Sequence, residues 1–96
     1  MTAFYRRIAA VDEEEFEDDL VVMNTATHAV VTLNCTARVV WEALAEGATR
    51  DDLLALFATV LPGTAPEDLR RDIVATLTEL EGAGLLIVRT TDGDRA

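Results

Sequence analysis

The sequence contains no lysine: its eight basic residues are all arginine, set against 18 carboxylates, for a net charge of −10. A surface so acidic repels a phosphate backbone, because affinity for nucleic acid comes largely from Lys and Arg neutralising phosphates. Nucleic acid is therefore not an expected partner, and a basic or apolar peptide is. The one cysteine, Cys35, cannot form an internal disulfide, in keeping with a reducing compartment. With His28 the sole histidine, a zinc or haem site would lack protein ligands, and no metal is expected. No run of 18 apolar residues and no basic-plus-apolar leader occurs, so the expectation is no transmembrane helix, no membrane partner and a cytoplasmic location. Gly-rich phosphate loops, Walker motifs and a Ser/His/Asp set are also missing. Cys35 has no activating base beyond His28, some seven residues away. These absences argue against an enzyme and against a cofactor.

What is present supports one domain over residues 1–96, with a core of about 5–88 and a flexible tail at 89–96. Its organising stretch is HAVVTLNCTARVVWEAL, residues 28–44, where the hydrophobic period changes abruptly. Ala29–Leu33 suits a short strand, because Val and Thr have branched Cβ atoms that fit a pleated surface. Ala37, Val40, Trp41 and Leu44 then recur at i, i+3, i+4, i+7 and share one helical face. Asn34, at the junction, can cap the helix through its side-chain oxygen, so the strand feeds into the helix without a linker.

In chain order, Phe4, Tyr5, Ile8 and Val11 allow a short edge strand around Tyr5–Val11 or a frayed arm, and the strand is the expectation adopted. DEEEFEDD, residues 12–19, carries seven carboxylates and reads as a solvated turn; it lacks the glycine and ligand alternation of a calcium loop. Leu20–Met23 predicts a strand, joined through NTATH to the one at Ala29. Three helices follow. The first runs from Cys35 to Glu46 and stops at Gly47. The second is capped by Thr49 with Asp52, carries the stripe Leu53, Leu56, Phe57, Val60 and Leu61, and is closed by Pro62-Gly63. The third starts from Thr64 as N-cap, buries Leu69, Ile73, Leu77 and Leu80, and ends at Gly84. Leu85–Val88 forms a last strand or plugs the core. The expected class is α+β and winged helix-turn-helix-like, a small three-stranded antiparallel sheet followed by three α-helices. Trp41 reads as a core residue rather than a pocket wall.

The run VVMNTATHAVVTLNCTARVVWEALAEGATRDDLLALF, followed by LTELEGAGLL, resembles the PqqD-like family, the RiPP recognition elements that hold the leader of a ribosomally made precursor peptide for its tailoring enzymes. The resemblance spans about residues 18–88. It departs from the common pattern at Cys35, where Glu or Pro is frequent, and at His28-Ala29, where a Gly-Arg or similar turn is common. It implies a leader-binding groove between the third strand and the third helix, which here means Ala29, Val30, Val31, Thr32 and Leu33 and the 66–82 helix. It also implies a separate tailoring enzyme, such as a protease, cyclase or radical enzyme, as a partner. Lasso peptide, quinone cofactor, radical-modified and lanthipeptide pathways all stay open.

A physical mechanism stands beside the resemblance. If Ala29–Leu33 is an edge, its free N–H and C=O groups can template an added strand, and a helix alongside supplies one wall of side-chain pockets. The flanks of the third helix are Asp72 and Thr76 on one side and Arg70 and Val74 on the other. Spacing leaves the choice open; the expectation adopted is Asp72 and Thr76, with Ile73, Leu77 and Leu80 as floor, and carboxylates there would favour Lys or Arg in the guest. Two alternatives compete. A winged-helix DNA-binding regulator would use the third helix for recognition, but residues 66–82 carry five carboxylates against two arginines. A homodimer could instead pair the same edge with a second copy.

Overall fold

The computed structural model describes residues 2–91. Six strands and three helices follow one another as β1 (Thr2–Arg7), β2 (Val11–Phe16), β3 (Asp19–Asn24), β4 (Val30–Leu33), α1 (Cys35–Ala43), β5 (Ala48–Thr49), α2 (Arg50–Val60), α3 (Pro66–Gly82) and β6 (Leu86–Thr91). β2, β3 and β4 make an antiparallel sheet in that order, and the three helices come after it, the expected α+β, winged-helix-like arrangement. A second three-stranded sheet, ordered β5-β1-β6, was not foreseen as a sheet.

Two expectations about the N-terminal third are corrected. Tyr5–Val11 is not one edge strand completing the first sheet. The chain bends at Ala9-Ala10, where the Val11 N–H donates to Ala9 O at 2.9 Å, and β1 pairs with β6 instead, from Thr2↔Thr91 to Arg7↔Leu86. Nor is 12–19 a turn. All but its last three residues belong to β2, which pairs with β3 from Val11↔Asn24 to Phe16↔Asp19 around a Glu17-Asp18 turn. The carboxylates of Glu13 and Glu15 share one face of β2, and each is offset by an arginine: Arg7 reaches Glu13 at 3.4 Å and Arg38 reaches Glu15 at 2.6 Å. Paired backbone plus those cations outweigh the repulsion that a run of carboxylates implies.

Alternation in β3 and β4 makes the core face. Leu20 and Val22 on β3 stand opposite Leu33 and Val31 on β4, and all four are buried. Against them pack Val40 and Trp41 from α1, Leu53 and Phe57 from α2, and Leu69, Ile73, Leu77 and Leu80 from α3, in one cluster with Tyr5 and Leu85. Leu85 is fully buried and β6 begins at the next residue, so the C-terminal segment both plugs the core and forms a strand. Arg89–Thr91, expected as tail, belong to β6; residues 92–96 lie outside the described residues.

The helix signals are mostly as read. Thr49 and Asp52 form a reciprocal capping box, both bonds at 3.1 Å. α1 stops at Ala43 rather than Glu46, because the Leu44 N–H already bonds to both Val40 and Trp41 carbonyls and a turn leads to Gly47 at φ +94°. α3 is capped by Ala65 rather than Thr64, with no side-chain cap bond, since Pro66 at the first helical position needs no N–H acceptor. The stripe on α2 is narrower than expected: Leu53 and Phe57 are buried, whereas Leu56, Val60 and Leu61 stay exposed.

Candidate functional site

Among the described residues β4 has a neighbour on one side only. β3 covers one edge, and among the described residues no strand pairs with the other. The Asn24 N–H donates to Ala29 O at 2.9 Å, which makes Asn24/Ala29 a hydrogen-bonded pair. Hydrogen-bonded and non-bonded pairs alternate along an antiparallel ladder, so Val22/Val31 and Leu20/Leu33 are bonded pairs and Met23/Val30 and Val21/Thr32 are not. The N–H and C=O groups of Val30 and Thr32 therefore point to the open edge. Their side chains are exposed, while those of Val31 and Leu33 face the core.

Beyond that edge lies a cleft of about 270 Å³. One wall is Thr32 with the entry to α1, namely Asn34, Thr36 and Ala37; the other is a strip of α3 formed by Asp72, Ala75, Thr76 and Glu79. Asn34 is held in extended backbone with its Oδ1 accepting the Ala37 N–H at 2.9 Å, so the strand-to-helix junction is fixed as the sequence implied. Asp72 and Glu79 are the charged groups of the lining, and no arginine shares it.

Of the residues singled out from sequence, the fold brings Thr32, Asp72 and Thr76 together in this cleft. The other flank of α3, Arg70 and Val74, lines a separate hollow with Arg50 and Leu54. Ile73, Leu77 and Leu80 sit in the core at 2%, 2% and 0% exposure and are not among the cleft-lining residues. They support the α3 wall from behind. Glu79 and Ala75 were missed, although they continue the Asp72/Thr76 flank at helical spacing. Asn34, Thr36 and Ala37 were missed because their place beside the edge depends on how sharply α1 departs from β4.

One missed residue links the two elements that carry the walls. Asn24, at the end of β3, is 4% exposed and uses both ends of its amide. Its Nδ2 donates to the carbonyl oxygens of Gly84 at 3.0 Å and Ala83 at 3.4 Å, just past α3, while its Oδ1 accepts from the Ala26 and Thr27 amides of the β3–β4 loop. The loop leading to β4 and the end of α3 are thus clipped together. An Asn opening a loop is an ordinary turn signal, and only the fold reveals its second role.

Cys35 is exposed and free, and His28 sits exposed at φ +67°, donating its N–H to Asn24 O at 2.7 Å. Among the described residues no group of three His, Cys, Asp or Glu side chains could hold a metal ion, and no helix is long and apolar enough to cross a membrane.

Two solved structures share this architecture. TbiB1 in complex with the TbiA(beta) leader peptide is 20% identical, with a TM-score of 0.71 over 84% of this chain and 93% of that one. Lasso peptide synthetase B1 complexed with the leader peptide is 23% identical, with a TM-score of 0.69 over 86% of this chain and 96% of that one. No curated protein matches the sequence. The family model described as coenzyme PQQ synthesis protein D (PqqD) matches residues 19–86, from the first residue of β3 to the first of β6, and the chain belongs to that family.

Proposed function

We propose that this protein is a leader-peptide recognition module. It binds the leader of a ribosomally made precursor as an added strand on β4 and presents it to a separate tailoring enzyme. The observation that carries this reading is the open edge of β4, with the outward amide and carbonyl groups of Val30 and Thr32 beside a cleft walled by α3. Two proteins of the same fold are described in complex with leader peptides, which supports the same role here.

Backbone pairing supplies affinity that is indifferent to sequence, and the α3 wall supplies selection. Asp72 and Glu79 favour Lys or Arg on the guest, and Thr76, mostly buried, offers a hydroxyl at the base of the wall. Val31 and Leu33 hold the strand to the core, so the edge is presented on a rigid support. In this reading the protein transfers no atoms: chemistry belongs to the protease, cyclase or radical enzyme that receives the bound precursor. Nothing in the fold favours the DNA-binding alternative, since the exposed side of α3 is rich in carboxylates.

The test is calorimetric titration of leader peptides encoded beside this gene into the wild-type chain and into Thr32→Pro. Proline at 32 removes an N–H that β3 does not use, a change edge strands tolerate. Micromolar binding to the wild type and at least a tenfold loss in T32P are expected. Binding unaffected by T32P would contradict strand addition on β4.

A further inference from the structure

The second sheet carries a site that the leader-binding reading leaves unused. Its outer face is ordered by the β1–β6 register, in which Phe4 stands opposite Arg89 and Arg6 opposite Ile87. Two guanidinium groups on a diagonal thus flank two exposed apolar side chains, Phe4 at 37% and Ile87 at 51% exposure. They open onto a cavity of about 400 Å³ that Arg7, Ile8, Ala9 and Ala45 complete. That size lies in the range of roughly 300–1,000 Å³ typical of built binding pockets. Three of the eight arginines line it, and no carboxylate does, in a chain with a net charge of −10. Arg7 is committed to Glu13; Arg6 and Arg89 form no ion pair among the described residues.

The same chain displays the complement. At the tip of the β2–β3 hairpin Phe16 projects at 65% exposure, flanked by Glu14, Glu17 and Asp18, none of which is ion-paired among the described residues. An aromatic ring set among carboxylates matches an apolar cavity ringed by arginines. The tip does not fill its own molecule's cavity: β2 carries Phe16 five residues beyond Val11, about 17 Å at 3.4 Å per residue, and no residue of β2 is among those lining the cavity.

We propose that a second copy of this chain occupies the cavity, Phe16 of each protomer seating between Arg6 and Arg89 of its partner. Reciprocal contacts about a two-fold axis double the buried area and close the assembly, as isologous interfaces do. Neither the cavity nor the hairpin tip includes a residue of β4, so the contact uses a surface other than the peptide-binding edge. Nucleic acid is disfavoured as occupant, because three arginines in a strongly acidic chain neutralise too few phosphates, while the apolar lining requires an apolar guest.

The experiment is sedimentation velocity of the full chain at physiological ionic strength, from about 10 µM to about 1 mM, the range in which small interfaces associate. Wild type is expected to move from the 10.4 kDa monomer to twice that mass as concentration rises. Phe16→Ser, the double variant R6E/R89E and the double variant E14R/E17R, each checked for folding by circular dichroism, are expected to stay monomeric. Mixing R6E/R89E with E14R/E17R is expected to restore a dimer, since each tip then meets a cavity of opposite charge. A wild type that stays monomeric throughout, a dimer that survives Phe16→Ser, or a mixture that fails to associate would overturn the proposal.

Discussion

The indole Nε1–H of Trp41 donates to Glu13 Oε2 at 2.9 Å, and the guanidinium of Arg7 lies 5.0 Å from the same ring's centroid while pairing with that carboxylate. A fully buried tryptophan thus keeps its one polar atom satisfied by reaching the rim of the sheet, where the acidic strand β2 passes. This contact gives one residue of the carboxylate run a structural task. It also ties β2, α1 and β1 into one unit.

Removing that acceptor leaves a buried N–H unpaired, which costs about 1–3 kcal/mol. Glu13→Ala is expected to lower unfolding free energy by about 1–2 kcal/mol, the lower half of that range because Glu13 is itself part-exposed. Glu13→Gln, which keeps an acceptor, is expected to cost less than half as much. Urea denaturation measures both, and equal losses would show that charge rather than the hydrogen bond matters.

Gly47 combines φ +94° with the Phe4 ring lying where a Cβ would stand. Gly47→Ala therefore meets both backbone strain and a clash, and is expected to destabilise by about 1–3 kcal/mol. Pairing it with Phe4→Ala should recover part of that loss, and a double-mutant cycle on thermal unfolding reads the coupling.

Asn24 clips the loop before β4 to the end of α3. Asn24→Ala removes the hydrogen-bond partner of two amides and two carbonyls, all part-buried, and is expected to cost about 1–3 kcal/mol. Because it joins the loop before β4 to the end of α3, leader affinity is expected to fall even where the variant remains folded. Calorimetry below the unfolding transition tests this; unchanged affinity would separate the clip from the cleft.

The carboxylates of the α3 wall should read charge on the guest. Asp72→Asn with Glu79→Gln is expected to weaken a Lys- or Arg-bearing leader by about two- to fivefold, the scale of exposed ion pairs, and the loss should shrink as salt is raised. A leader lacking basic residues should bind both proteins alike.

Much of this was legible in the chain. The change of period at Asn34 marked the junction of β4 and α1, and four apolar residues at spacings of 4, 4 and 3 marked the inward face of α3, because periodicity records burial directly. Helical geometry marked two flanks on α3, Asp72/Thr76 and Arg70/Val74, but not which of them faces β4, because that depends on how α3 is rotated against the sheet. The acidic strand β2 was not legible: its residues are nearly all exposed, so no hydrophobic period exists to read, and what orders it is pairing with β3, a cation from nearby Arg7 and another from Arg38, 23 residues beyond Glu15. The second sheet failed for a related reason, since β1 and β6 stand at opposite ends of the sequence and their partnership is a property of the whole fold.

The most direct test of the account is residue-resolved amide hydrogen exchange of the chain with and without a bound leader peptide. The outward amides of Val30 and Thr32 are predicted to become strongly protected when the peptide binds, with those of Val31 and Leu33, already bonded to β3, changing little. A peptide that binds while Val30 and Thr32 continue to exchange as in the free protein would contradict strand addition on this edge.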